Sequence, residues 1–253
     1  HAGSAQETEK VISWSAAKPV AKAERKYPAE VSVYDYMTAE DEFIYHHLEK
    51  LCQGSDIANW PLVKSMLELG LDGIDAGIIA RMANETIYVS DQPRAAPISK
   101  LVQECAEILQ MEAPPIHIKG DPYPNAWVTG LREPHVLVLT SGLLQIYQDS
   151  PEELRFIIGH ELGHLKSKHM RTRFLANVLL GTILRNRLAN KEVSQDVVLM
   201  FSLGTLLQWS REAEFSADRA GLICVGGDVD MAQQALLRLL HQTRDTNKLF
   251  DPK

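Results

Sequence analysis

The sequence predicts an α+β fold, predominantly helical, with one small sheet ahead of a long C-terminal run of helices. Three observations predict it. Val136-Leu137-Val138-Leu139 is a continuous apolar run bounded by polar residues, the length and composition of a buried strand. Two further extended runs, Ile116 to Lys119 and Ala126 to Thr129, precede it, each led by prolines. From Gly142 to the end, apolar positions recur at helical spacing.

Taken in order, residues 1–30 mix Lys, Glu, Ala and Pro without periodicity, and Pro19 and Pro28 break any helix begun there, so they read as a flexible arm. Residues 31–92 read as a helical annex. Thr38 is an N-cap followed by acidic residues, and Phe43, Ile44, His47, Leu48 and Leu51 keep helical spacing until Gly54 stops them. Helical stretches follow at Leu62 to Leu69 and at Ile74 to Met82, and Thr86 to Ser90 has strand composition. Residues 93–253 read as the core domain. It opens with a helix after Pro93 and Pro97 that carries Ile98, Leu101, Val102, Cys105, Ile108 and Leu109, and its later helices include Pro151 to Met170 and Ser210 to Ala220.

The chain is long enough to bury a core without staples, at 253 residues and 45% hydrophobic content. A net charge of -7 leaves no global positive field for a phosphate backbone, which disfavours nucleic acid as a partner. Cys52, Cys105 and Cys224 lie far apart with no CxxC spacing, so they offer neither a thiolate metal site nor a redox pair. Phe174 to Leu184 and Val197 to Trp209 are too short and too interrupted to span a bilayer, and they read as packed helices with no indicated membrane contact. The opening His1-Ala2-Gly3-Ser4 reads as a cloning remnant, so a targeting signal is expected to be missing and the compartment is not legible. Nothing in the pattern fixes an oligomeric state.

His160-Glu161-Leu162-Gly163-His164 is a HExxH motif, and the amphipathic run after Pro151, with Glu152 and Glu153 in its first turn, places it on a helix. Imidazoles four residues apart share a face and can converge on one ion, with Glu161 beside them within reach of a water. The plainer alternative is a buried histidine pair satisfied by backbone carbonyls. A catalytic zinc site needs a third protein ligand. The extended HExxHxxGxxH pattern is not met, since Ser167 and Met170 stand at its last two positions; His169 falls one residue out of register and is expected to face solvent.

The segment Ser210 to Arg219 offers a carboxylate instead. Glu214 and Asp218 share a helical face, and Ala213, Ala217 and Ala220 form a small-residue stripe that lets this helix approach the HExxH helix closely. Glu214 then completes a His2Glu set, and Asp218 accepts the free N–H of a ligand imidazole. A charged helix face in solvent is the alternative.

With these motifs in place, HELGH and Glu-Phe-Ser-Ala-Asp-Arg resemble the HExxH plus ExxxD arrangement of the gluzincin family that contains the HtpX-type membrane peptidases, the CaaX-prenyl endopeptidases and the OMA-type mitochondrial peptidases. Asn125 to Gly130 resembles that family's NAFxxG-like segment, and His135 to Leu144 its strand and helix start; the similarity spans about residues 95–245. The resemblance implies a soluble version of a zincin-like metallopeptidase domain with its sheet beside the HExxH helix. It implies one Zn2+ held by His160, His164 and Glu214, Glu161 as general base and acid, and Asp218 as the partner of a ligand histidine. It also implies an edge strand at Asn125, Ala126 and Trp127 that adds a peptide or unfolded-protein substrate. Asn125 is equally a turn residue after Pro122 and Pro124. His241, Arg219 and Tyr123 are the oxyanion candidates, unranked by spacing.

The expected activity is therefore zinc-dependent endopeptidase hydrolysis. The rival is a catalytically latent zinc-binding or chaperone-like interaction module on the same fold. An active peptidase gated by residues 1–92 or 171–209 is a third reading.

Overall fold

In the computed structural model, which describes residues 27–53, 76–77, 80–130, 133–174, 176–177 and 194–242, the helical and extended runs separate as their periodicities predict. The helical stretch expected at Leu62 to Leu69 and most of the apolar stretch Phe174 to Leu184 lie outside the described residues. Thr38 caps α1 (Ala39–Gln53), its hydroxyl accepting the Asp41 amide at 3.2 Å. A short strand β1 (Thr86–Tyr88) leads to α2 (Ala96–Ile108), which buries Ile98, Leu101, Val102, Cys105 and Ala106 along one face. Then come β2 (Ile116–Lys119), β3 (Ala126–Thr129) and β4 (Val136–Thr140). Thr140 ends β4 and caps α3 (Ser141–Ile146), accepting the Leu143 amide, so one hydroxyl turns the chain from sheet into helix. α4 (Pro151–Lys166) carries HExxH, α5 (Ser194–Cys224) carries Glu214, and α6 (Val229–His241) is capped by Asp228.

The sheet has the order β1-β2-β4-β3, with β2 and β4 parallel and both outer pairs antiparallel. β4 is central and buried, which explains its continuous apolar run. β3 is an edge. Register pairs Trp127 with Val138 and Thr129 with Val136, and the Thr140 amide donates to the Asn125 carbonyl at 3.0 Å. Antiparallel alternation then turns the backbone of Trp127 toward β4 and the amides and carbonyls of Ala126 and Val128 outward.

α4 crosses α5 at very short range because both helices lack side chains there. A Cβ at Gly159 would stand 2.7 Å from the Cys224 Cβ and Sγ, one at Gly163 would stand 2.6 Å from the Ala220 Cβ, and one at Gly221 would stand 2.8 Å from the Phe156 carbonyl oxygen. Ala213, Ala217 and Ala220 are fully buried, as the small-residue stripe predicts. Gly159→Ala gains about 1 kcal/mol of helix propensity, whereas overpacking a closed core costs about 1–3 kcal/mol. Net destabilisation is expected, read as a lower thermal midpoint of the metal-free protein.

Two buried arginines fix α4 against its other neighbours. Arg155 pairs with Glu104 of α2 and with Glu152 at 3.0 Å, and Arg238 of α6 pairs with Glu153 through two nitrogens at 2.6 and 3.1 Å. The chain ahead of α1 joins the same core through Val31, Tyr36 and Met37.

Candidate metal centre

His160 and His164 sit one turn apart on α4 and face Glu214 on α5. Their Nε2 atoms are 3.1 Å apart, and each lies 3.5 Å from Glu214 Oε2. Those three donor atoms are a group able to hold a metal ion, within 4.8 Å of one another. The close helix crossing produces this convergence: Gly163 against Ala220 lets the Glu214 turn approach the second histidine.

The outer nitrogens are also engaged. His160 Nδ1 lies 2.9 Å from Asp218 Oδ1, one turn beyond Glu214. His164 Nδ1 lies 2.8 Å from His169 Nδ1. His169 is thus not solvent-facing as its spacing suggested; it is 3% exposed. The physical reason is local. α4 ends at Lys166 with Ser167 as its C-cap, and Lys168 takes a left-handed φ of 55°, so the helical register is broken and His169 folds back beneath His164.

Electrostatics follow from this packing. Burial alone would lower His160, but its bonds to Asp218 and Glu214 outweigh that and raise it to about 10. Burial holds His164 below its ordinary value despite the Glu214 contact. The two imidazoles beside it, His160 first, hold the Glu214 carboxyl well below the usual carboxylate range. Burial pushes Glu161 up to about 7, helped by the Glu214 charge and opposed by His160 and by the Val128 backbone amide. In the metal-free protein at neutral pH, one proton on His160 therefore supplies the positive charge between the carboxylates.

Other predicted residues fall as follows. Ala126 and Trp127 are half-buried on β3 and Asn125 is exposed at its start. Tyr123, Arg219 and His241 are exposed, and no side-chain hydrogen bond or ion pair among the described residues joins any of them to the cluster. Arg219 instead lines an open groove of about 600 Å³ with Phe156, Phe215 and Asp218.

The sequence pattern of peptidase family M48 matches residues 92–251, more than half of the chain. The chain belongs to that family. It is 29% identical over 181 residues to the plastoglobule-localized metallopeptidase 48 of Arabidopsis thaliana, covering 67% of this chain and 50% of that protein. It is 29% identical over 171 residues to a protease HtpX homolog of Moorella thermoacetica, covering 58% of this chain and 56% of the relative. Protease HtpX of Hahella chejuensis aligns over more, 27% identical across 81% of this chain and 79% of the relative. The chain spans about half the length of the first two of these relatives. No solved structure matches it. Among the described residues no helix is long and apolar enough to cross a membrane.

Proposed function

We propose that the chain is a zinc-dependent endopeptidase in which His160, His164 and Glu214 hold one Zn2+ and Glu161 is the general base. The donor spacing carries the reading. Ligand atoms 2.0–2.1 Å from a tetrahedral zinc stand about 3.4 Å apart, and the three donors here are 3.1, 3.5 and 3.5 Å apart. Two imidazoles and one carboxylate, with no cysteine thiol in the group among the described residues, is the donor set of a catalytic zinc rather than a closed structural one. Family membership supports the same class of chemistry.

Held by His160, His164 and Glu214, a zinc ion would supply a Lewis acid for the scissile carbonyl and would lower the pKa of a water toward about 7. Glu161 would take a proton from the attacking water and return it to the leaving amine, a task suited to a carboxyl that burial has moved toward neutrality. Asp218 accepts the His160 Nδ1–H, fixing that ring's tautomer and raising its basicity. The outward backbone of Ala126 on β3 pairs with an extended peptide or unfolded-protein segment, with Asn125 and Trp127 flanking the contact, so recognition leans on main chain.

Casein incubated with the protein should be cut, the cutting should stop with a chelator, and about one equivalent of zinc should restore it. A scaffold with a structural ion would cut nothing in any tube. Because His160 must shed its proton to ligate, zinc uptake at pH 7 should release at least one proton, and apparent affinity should rise at least about tenfold per pH unit between 6 and 8. The sign follows from the raised value of about 10, below which proton and metal compete for the same nitrogen. Calorimetry in buffers of different ionisation enthalpy counts the proton.

A further inference from the structure

His164 needs its Nε2 lone pair free to act as a ligand, so its single ring proton must sit on Nδ1. That atom faces another nitrogen, His169 Nδ1, at 2.8 Å. Two nitrogens at that distance share one proton, so His169 must accept there and carry its own proton on Nε2. His169 Nε2 in turn lies 2.8 Å from Asp41 Oδ2. The other oxygen of Asp41 receives the indole N–H of Trp209 at 2.9 Å, from an atom that can only donate. Asp41 is 0% exposed. Every bond in this row points one way, from the cluster out to a buried carboxylate 128 residues away in sequence from His169.

The chain ahead of the family-matched region is built around this row. Lys166 donates to the Val31 carbonyl at 2.5 Å, Ser167 to the Tyr36 hydroxyl at 3.0 Å, and His169 reaches Asp41, so three residues at the end of α4 each bind the segment 31–41. From the other side, the Thr38 amide donates to Ser216 Oγ at 3.0 Å, two residues past Glu214, and Thr38 then caps the turn that presents Asp41. His160 meets its carboxylate directly, through Asp218. His164 meets one through an interposed imidazole.

We propose that Asp41 and His169 are positioning residues for the metal site, holding His164 in the Nδ1–H tautomer with Nε2 turned to the ion. A segment outside residues 92–251 thereby completes the site. The proposal rests on the reading that His160, His164 and Glu214 bind a metal ion. Asp41→Asn is the informative change because it keeps shape and reverses polarity. An amide nitrogen set against His169 Nε2 drives the His169 proton to Nδ1, which then donates to His164 Nδ1 and forces the His164 proton onto the ligating nitrogen.

The test is zinc affinity by chelator competition on the full chain. Asp41→Asn and His169→Leu should each weaken zinc binding by about 10–100-fold. His169→Gln, which can accept from His164 and donate to Asp41 as the imidazole does, should lie closer to wild type than to the leucine variant. Tyr36→Phe loosens the same segment without touching the row and should bind as wild type. In the metal-free wild type, ring nitrogen shifts should place the proton on Nδ1 of His164 and Nε2 of His169. Zinc lost in Glu214→Ala but held fully by Asp41→Asn and His169→Leu would overturn the row alone. Zinc held by no variant and not by wild type would overturn the metal reading beneath it. Equal losses in Tyr36→Phe and His169→Leu would reduce the row to packing. If Asp41→Asn fails to fold, the two His169 variants and the wild-type shifts decide.

Discussion

Glu161→Gln is expected to keep zinc at wild-type stoichiometry while lowering kcat by about 10²–10⁴, the range that a positioned general base contributes. The substitution preserves volume and one hydrogen-bond acceptor, so the Val128 amide that faces the carboxylate keeps a partner. What is lost is the capacity to take a proton. Burial has moved this carboxyl up to about 7, where it can accept from a water and give the proton back within one turnover. An amide does neither near neutral pH. The decisive measurement pairs metal content with steady-state casein cleavage. A drop in kcat with zinc retained assigns the base; full cleavage by the glutamine variant would remove Glu161 from the mechanism; loss of zinc would make it a structural residue of the site.

The parts of this site that the sequence discloses are those set by local geometry. His160 and His164 share a face because an α-helix repeats every 3.6 residues, and Glu214 and Asp218 share one for the same reason, so both halves of the cluster are readable separately. Their meeting is readable too, since Ala213, Ala217 and Ala220 sit on the same face as Glu214 and announce a close neighbour; Gly159 and Gly163 are the matching vacancies on the other helix. The central strand is equally plain, because β4 is buried on both faces and carries no alternation.

His169 and Asp41 were hidden for opposite reasons. His169 lies close to the motif, yet its position is set by one left-handed residue, Lys168, and counting in helical turns sends it to the wrong side. The available signal was a third histidine five residues beyond the motif, which an expected helix running on to Met170 placed on the wrong face. Asp41 reads as an ordinary acidic residue in a helix's first turn, favoured there by the dipole alone. Only tertiary packing of the segment 31–41 reveals that it is buried between His169 and Trp209. The paired arginines Arg155 and Arg238 are also invisible in sequence, because burial of a charge depends on a carboxylate arriving from another element.

Glu214→Ala tests the other end of the same argument and should weaken zinc binding by on the order of 10³-fold, about a third of the binding free energy of a three-ligand site. Glu214 is about half exposed, so its truncation leaves no cavity; the metal-free variant loses the contact with the imidazoles, and each protein is therefore compared with its own metal-free midpoint. The two proteins separate when zinc is added. Wild type at 100 times its dissociation constant gains about 2.7 kcal/mol from the bound ligand and a matching rise in thermal midpoint, whereas the alanine variant at the same zinc concentration should show almost none. Glu161→Gln should show the full rise. That contrast matters because the two glutamates lie close enough for the charge of one to raise the pKa of the other, and a loss of cleavage alone would not tell them apart. A zinc-induced rise preserved in Glu214→Ala would mean that the ion is held by another acid, and Asp218, which already contacts His160, would be the first to examine.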